Sequence, residues 1–393
     1  MPAPGPNIRR RPARKLEITF GGWVYLGMTL FMGLAAVNVQ VSLLFGTFGL
    51  MVGVVVVSFM LSRLVLRRLK VQRLLPSNAV VGRPLTIPYE FTNHKRFWPS
   101  LSVSVREVGS RAFARQPAAY LLHAAPRTTA TVPAQAMPLQ RGLQPLDALD
   151  LQSSFPFGFL RRRVRVRHPQ SLLVWPALAR VHPRIIQQCL AAEHTAAANP
   201  SVQPRIGGSD EFYGVKEFRV GDNPRFLNWR RSARTGVLVA NEMTQVAPPR
   251  LMLLVDTYAT DAASLELVER AVAMAASLAT TALERGLGVG LHAWADSWVT
   301  VSPSRGKRHQ RDLLSHLACL PRNQQQDVMA LLASGGPWMR QQVTPVLLSP
   351  HALPLEAGMP AGRRCVVLAA DAPASRQSFV FDPEVDFAAC AAT

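Results

Sequence analysis

The stretch "RLMLLVDTYAT", residues 250–260, decides the architecture of the C-terminal part of the chain. Leu251–Val255 is apolar without a break and leaves no polar face, so the strand it forms must be covered on both sides, as strands of parallel sheets are. Residues 261–285 follow with Leu265, Val268, Val272, Ala276, Leu278 and Ala279 at helical spacing, and Gly286 stands at the stop. "LGVGLHAW" is a second buried strand, "GKRHQRDLLSHLACL" a second helix, and "QQVTPVLLS" and "RRCVVLAAD" are two further strands. Strands alternating with helices predict an α/β domain over 246–393 with a doubly wound parallel sheet.

At 393 residues the chain has room for more than this domain. From Ile18 to Ser62 there is no Asp, Glu, Lys, Arg or His. That run is too long for one membrane span and suits two spans of about 20 residues, with Asn38, Gln40 and Ser42 at the turn. A signal peptide would have a single, shorter apolar core. Arg9, Arg10, Arg11, Arg14 and Lys15 precede the run, and Arg63, Arg67, Arg68 and Lys70 follow it. Positive charge on both outer flanks predicts a basic cytosolic tail over 1–17, a transmembrane helical hairpin over 18–62, and both termini in the cytoplasm.

Between hairpin and α/β domain the pattern is that of short strands. "VVGRPLTIPYEFTN" and "SLSVSVREV" alternate apolar with polar residues, and turn residues recur between such runs, predicting a β-sandwich-like domain over 70–178. In "RRRVRVRH", Arg161, Arg163, Arg165 and Arg167 share one strand face and Val164 and Val166 the other. A solvated outer face is the plain reading of these arginines; contact with anionic lipid headgroups beside the anchor is the alternative. Residues 179–206 are Pro- and Ala-rich without sustained period and read as a linker.

The formal net charge of +20 raises the question of nucleic acid. Only five of the 44 basic residues are lysines (Lys15, Lys70, Lys95, Lys216, Lys307), an imbalance that in an Ala-, Pro- and Gly-rich chain reflects codon usage more than a binding surface. No basic helix or aromatic platform accompanies the charge, so no nucleic-acid partner is expected. Cys189, Cys319, Cys365 and Cys390 form no CxxC pair, which argues against a disulfide framework or a thiolate zinc site and for a reducing compartment. "RGKRH" lacks the glycine and hydroxyl of a phosphate-binding loop, and the nine histidines show no HExxH. Ser232 is followed by Ala233–Arg234, neither a GxSxG elbow nor an SxxK. No catalytic residue and no cofactor is nominated.

The densest charge lies in 207–245, around "GSDEFYGVKEFRVGDNPRFLNWRRSARTGVLVANE". Asn223 or Asp222 is placed to cap a helix with Pro224 in its first turn, running through "RFLNWRRSART" to a stop at Gly236. Phe226, Trp229, Leu227 and Ala233 are expected to face inward, and Arg230, Arg231 and Arg234 to project at the C-terminal end, where the helix dipole favours cations. Asp222 is close enough to pair with Arg219 or Arg225, and Glu242 with Arg234. "VLVANEM" reads as a strand.

These residues closely resemble the signature of the bacterial domain of unknown function 58 family, roughly G-x-x-E-F-x-x-x-R-x-Y-x-x-G-D-x-x-R-x-I-N-W-x-x-S-A-R. Glu211, Phe212, Gly221, Asp222, Arg225, Asn228, Trp229, Ser232, Ala233 and Arg234 match; Lys216 and Phe218 stand where the family has its basic residue and Tyr. The hairpin, an RG…PFG pattern (Arg141–Gly142, Pro156–Gly158) and "LLVWP" fall in the family's order. The resemblance implies a von Willebrand A-like C-terminal domain in a protein of the bacterial inner membrane. It also implies partnership with a MoxR-type AAA+ ATPase, beside transglutaminase-like membrane proteins, in maturing or remodelling other proteins. It brings no catalytic residues.

A von Willebrand A-type metal site uses Asp-x-Ser-x-Ser at a strand's carboxyl end, since a hard cation wants a carboxylate and two short hydroxyls together. Here Asp256 and Thr260 keep the outer oxygens, Tyr258 replaces the middle hydroxyl, and Ser349 stands where another Asp is usual, so a divalent cation would bind weakly at best. The expected function is a non-enzymatic membrane-anchored scaffold presenting Glu211, Arg219, Gly221, Asp222, Arg225, Asn228, Trp229, Arg231, Ser232 and Arg234 as a partner-binding or structural motif. The alternatives are a metal-dependent hydrolase using Asp256 and the motif carboxylates, or a basic protein binding nucleic acid or a lipid surface.

Overall fold

The computed structural model describes residues 13–39, 41–109, 113–196, 206–219, 222–244, 249–334, 343–353 and 365–391. The chain is a mixed α/β protein of two compact units, one running to Leu178 and resumed from Asp382, the other Ala179–Phe381.

The first unit opens with strand β1 (Ala13–Ile18) and helices α1 (Phe20–Val39) and α2 (Ser42–Val65). Both helices are long and apolar enough to cross a membrane, with mean hydropathies of 1.6 and 2.3. They lie against each other: the Tyr25 hydroxyl donates to the Met51 carbonyl at 3.3 Å, and a Cβ on Gly33 would stand 2.8 Å from the Phe48 ring. Outward, Phe20, Phe31, Leu34, Leu43 and Leu50 are bare, a surface suited to lipid rather than water. The second helix runs on to Val65, past the end expected from the uncharged run. Its last carbonyls need partners, and Lys95 supplies them: Nζ donates to Leu64 O (3.0 Å) and Val65 O (2.8 Å), as well as to Pro99 O and Ser100 Oγ. Burial pushes this ammonium down to about 8.

The strands that follow are β2 (Leu69–Arg73), β3 (Ala79–Val80), β4 (Leu85–Asn93), β5 (Ser100–Val108), β6 (Phe113–Arg115), β7 (Ala118–Ala124), β8 (Thr129–Pro138), β9 (Gly142–Ser153) and β10 (Leu160–Trp175). They make two sheets, β1-β10-β9-β5-β7 with β3 on β10, and β2-β4-β8-β6. Alternation sends Ile87, Tyr89 and Phe91 of one sheet and Val103 and Val105 of the other into a shared core. Residues 13–17, assigned from the sequence to the basic tail over 1–17, form β1 and add an edge to β10, pairing Lys15 with Arg163 and Glu17 with Arg161; residues 1–12 lie outside the described ones.

The core also holds an ion pair. Arg73 on β2 meets Glu107 on β5 at 2.6 Å, both side chains fully buried. The guanidinium donates further to Gln170 Oε1, Leu146 O and His168 O, and the Tyr89 hydroxyl donates to Glu107 Oε1 at 2.6 Å. Burial, and then the Glu107 charge, hold the Tyr89 phenol well above its ordinary value.

The second unit begins where a linker was expected, with β11 (Arg180–Val181) and α3 (Pro183–Ala196). Ile185, Ile186 and Cys189 fall on one helical face and are buried; three apolar residues in an Ala-rich stretch are too few to show a period. Next come β12 (Ile206–Glu217), a 3₁₀ turn (Pro224–Phe226), α4 (Trp229–Thr235) and β13 (Val239–Thr244). Then follow β14 (Arg250–Val255), α5 (Ala262–Glu284), β15 (Gly288–Ala295), β16 (Ser297–Ser304), α6 (Lys307–Cys319), α7 (Val328–Ala333), β17 (Thr344–Ser349), β18 (Val366–Ala369), α8 (Pro373–Ser378) and β19 (Phe379–Val380). The main sheet has the order β16-β15-β14-β17-β18. Its strands are parallel except β16, an antiparallel edge joined to β15 through Asp296 at φ 61. Met252 and Leu254 pack on Leu331 and Leu332 of α7, while Leu251, Leu253 and Val255 are just as buried on the opposite face. The final stretch, with α9 (Phe387–Ala391), does not belong to this unit as 246–393 implied; it joins the first, where Cys390 Sγ donates to Leu139 O.

Candidate functional site

The signature segment folds around a β-hairpin, not a single helix. β12 and β13 pair antiparallel, with Lys216 opposite Ala240. Between them, Asn223 Oδ1 accepts from Arg225 N (3.1 Å) and caps the 3₁₀ turn, with Pro224 leading it as expected. The turn cannot run on as one helix, because Leu227 bridges to Ala240 and Asn228 N donates to Val239 O at 2.8 Å. Asn228 therefore starts α4 afresh: its Oδ1 accepts from Arg231 N (3.1 Å) and its Nδ2 donates to Asn241 Oδ1 (2.9 Å). Ser232, the buried residue of this helix, donates to Asn228 O and accepts from Val239 N, both at 2.9 Å. Gly236, at φ 74, closes the helix by donating to Ser232 O.

That break changes which side chains point out. Phe226 and Leu227 are half-buried as expected, but Trp229 is 68% exposed and Ala233 is exposed, because the helix starts at Trp229 and is out of register with the turn before it. Arg219, Arg225, Arg230, Arg231 and Arg234 are all exposed, and none has a carboxylate partner among the described residues. The expected pairing of Asp222 with an arginine side chain is not found. Its Oδ1 accepts from Lys216 Nζ at 2.7 Å and its Oδ2 from the backbone N–H of Arg219 at 3.0 Å. Those two donors hold the Asp222 carboxyl below its ordinary range. Glu211 sits on β12 opposite Thr244; its side chain, that of Glu242, and Gly221 altogether lie outside what is described.

A second constellation occupies the carboxyl ends of β14 and β17. The chain leaves β14 for β15 on one side and reaches β17 on the other, so this is the switch point where open α/β sheets bind ligands. Asp256 lies there, buried, its Oδ1 accepting from Tyr258 N (2.9 Å) and its Oδ2 from Ser349 Oγ (3.4 Å). Burial pushes its carboxyl up to about 6, those two bonds offsetting part of the shift. Thr260, the other proposed ligand, is exposed. Two protein oxygens already engaged by N–H and O–H groups fall short of the six to eight a hard cation collects, and no three His, Cys, Asp or Glu side chains converge among the described residues.

Nearby, Ser264 Oγ lies 3.4 Å from His351 Nε2, and His351 Nδ1 lies 3.5 Å from Asp371 Oδ2. Sequence spacing gave no sign of this row, since its members come from the first turn of α5 and from the segments that follow β17 and β18. Its order is that of a nucleophile, base and orienter, but both separations exceed good hydrogen-bond reach, and the Ser264 hydroxyl donates to Asp261 instead. As it stands the row does not activate the serine.

Residues 214–350 match the family described as protein of unknown function DUF58. The uncharacterized protein YeaD of Bacillus subtilis (strain 168) is 30% identical over 104 residues, which cover 26% of this chain. The match spans about a quarter of that relative's length (25%).

Proposed function

We propose that this chain, a DUF58-family protein through residues 214–350, is a non-enzymatic scaffold of the bacterial inner membrane. On this reading α1 and α2 span the bilayer with both termini in the cytoplasm, and the parallel-sheet unit is a von Willebrand A-like domain that engages a MoxR-type AAA+ ATPase and other membrane proteins. The observation that carries it is the exposed Trp229 beside Arg230, Arg231 and Arg234. Asn228 and Ser232 hold α4 rigidly from beneath, so the exposed set is preorganised. Tryptophan and arginine are the residues that dominate interface hot spots, and guanidiniums with no carboxylate partner among the described residues suit an acidic face on the partner.

The test is capture of the ATPase by the tagged full-length chain from native membranes after crosslinking. A hot-spot residue is worth about 2 kcal/mol, so Trp229→Ala should weaken capture by about thirtyfold. Arg231→Ala should weaken it less, and neither should alter thermal unfolding. Capture unchanged by both variants, or no ATPase captured at all, would sink the reading.

A further inference from the structure

A cavity of about 500 Å³ opens on the outer face of the first unit's larger sheet. Cross-strand register explains its lining, since Ser104 lies opposite Tyr120 on one side and Gln152 on the other, and Gln152 opposite Arg163. Arg106 and Arg161 complete the cationic wall, and among the described residues no carboxylate lines the cavity. Arg163 is shared with Asp150 and Glu17, each at 3.5 Å. Arg106 and Arg161 are exposed and have no carboxylate partner among the described residues. Glu17 stands opposite Arg161 and Asp150 opposite Arg106 in strand register, but neither closes an ion pair with them, and two guanidiniums over hydroxyls and an amide make a receptor for a phosphate-like anion.

The cavity's position narrows the source of that anion. Its rim is the loop Ser154–Gly158, which continues into Phe159. This loop is fastened to the start of α1: Thr19 Oγ1 donates to Gly158 O at 2.6 Å and Thr19 N to Phe159 O at 3.0 Å. The Tyr25 and Phe159 rings stack at 4.3 Å, and Phe157 stacks on Phe159 in turn. A Cβ on Gly22 would come within 2.3 Å of the Phe159 carbonyl oxygen, a Cβ separation no larger residue accepts. Phe20, Trp23 and Phe157 stay exposed around this junction, as aromatics do at a membrane–water boundary.

We propose that this cleft binds the phosphate of an anionic phospholipid headgroup, with Arg106 and Arg161 as the principal ligands and the Phe157 loop resting at the interface. The proposal depends on the reading of α1 and α2 as membrane spans. The probe is phosphatidylglycerol titrated onto the full-length chain in detergent micelles, with adducts counted by native mass spectrometry and phosphatidylcholine as the zwitterionic control. Phosphatidylglycerol should be retained in preference. Each interfacial arginine contributes enough that Arg106→Gln and Arg161→Gln should each lower its occupancy about fivefold. Arg167→Gln, on the same strand but outside the cleft, should not change it.

Equal retention of the two lipids, or an equal loss with Arg167→Gln, overturns the site in favour of diffuse surface charge. Competition by millimolar inorganic phosphate that abolishes the preference overturns the headgroup assignment in favour of a free anion. Carbonate extraction tests the anchor separately. A chain washed from membranes has no span and loses the proposal with it, whereas a chain that stays integral but shows no lipid preference loses only the proposal.

Discussion

The molecule handles clustered charge in two opposite ways. In the first unit, Arg73 and Glu107 come from strands far apart in sequence, are fully buried, and have their polar atoms bonded to Gln170, Leu146, His168 and Tyr89. In the second, residues 216–234 crowd charges together in sequence, yet Lys216 with Asp222 is the pair observed there and the arginines lie open to solvent. Interior charge must be matched nearly atom for atom because desolvation costs several kcal/mol per ion. Surface charge needs no such matching, since water does it. Density of charge along a sequence is therefore a poor guide to where charge bears structural weight.

The largest expected effect tests the interior network. Glu107→Ala leaves the Arg73 guanidinium buried without its counter-charge and should cost about 3–5 kcal/mol in chemical unfolding of the full chain. The double variant Arg73→Met/Glu107→Leu should be less damaging than Glu107→Ala alone, because no charge then remains to be compensated. A wild-type midpoint for Glu107→Ala would remove one side of the comparison.

An intermediate effect is expected at Asp256, a buried carboxyl whose charged form burial disfavours. Its folded-state value of about 6 lies above the ordinary 3.8, so the native state holds its proton longer than the unfolded state does. Stability from this group is then greatest below pH 4 and declines as pH rises through 6. Asp256→Asn keeps an acceptor for Tyr258 N, and at pH 7 should stabilise the chain by on the order of 2 kcal/mol. It should also flatten the melting temperature between pH 4 and 6. A variant less stable than wild type at pH 7 would mean that the charge has a partner, such as a bound cation.

Asp222→Ala should change the melting temperature little, since its pair with Lys216 is solvated. Because its carboxyl lies below the ordinary range, what it contributes is present at neutral pH and lost as pH falls through that lowered value. A drop as large as that of Glu107→Ala would erase the distinction between the two regions. The smallest response is expected from divalent cations: calorimetry with Mg²⁺ or Mn²⁺ should give weak heats or none. Micromolar binding abolished by Asp256→Ala would show that the switch point gathers more oxygens than Asp256 and Thr260.

Local chemistry is what could be read directly. The unbroken run Leu251–Val255, the helical spacing that ends at Gly286, the uncharged stretch 18–62 and the alternation in "SLSVSVREV" each state a burial pattern within one element, and each element is found. The caps at Asn223 and Gly236 were legible for the same reason, because a cap acts over three or four residues. What tertiary structure alone decided is every feature in which distant segments compete for one backbone. The bridge from Leu227 to Ala240 splits the motif helix and turns Trp229 outward. Residues 13–17 are drawn into a sheet edge by β10, and α3 forms because Ile185, Ile186 and Cys189 find a core to enter. Arg73 and Glu107 meet only because the β2 and β5 sheets face each other. Periodicity reports which face of an element avoids water, but it carries no information about which partner covers that face, and partner choice is where the buried pair, the split helix and the arginine-lined cavity arise.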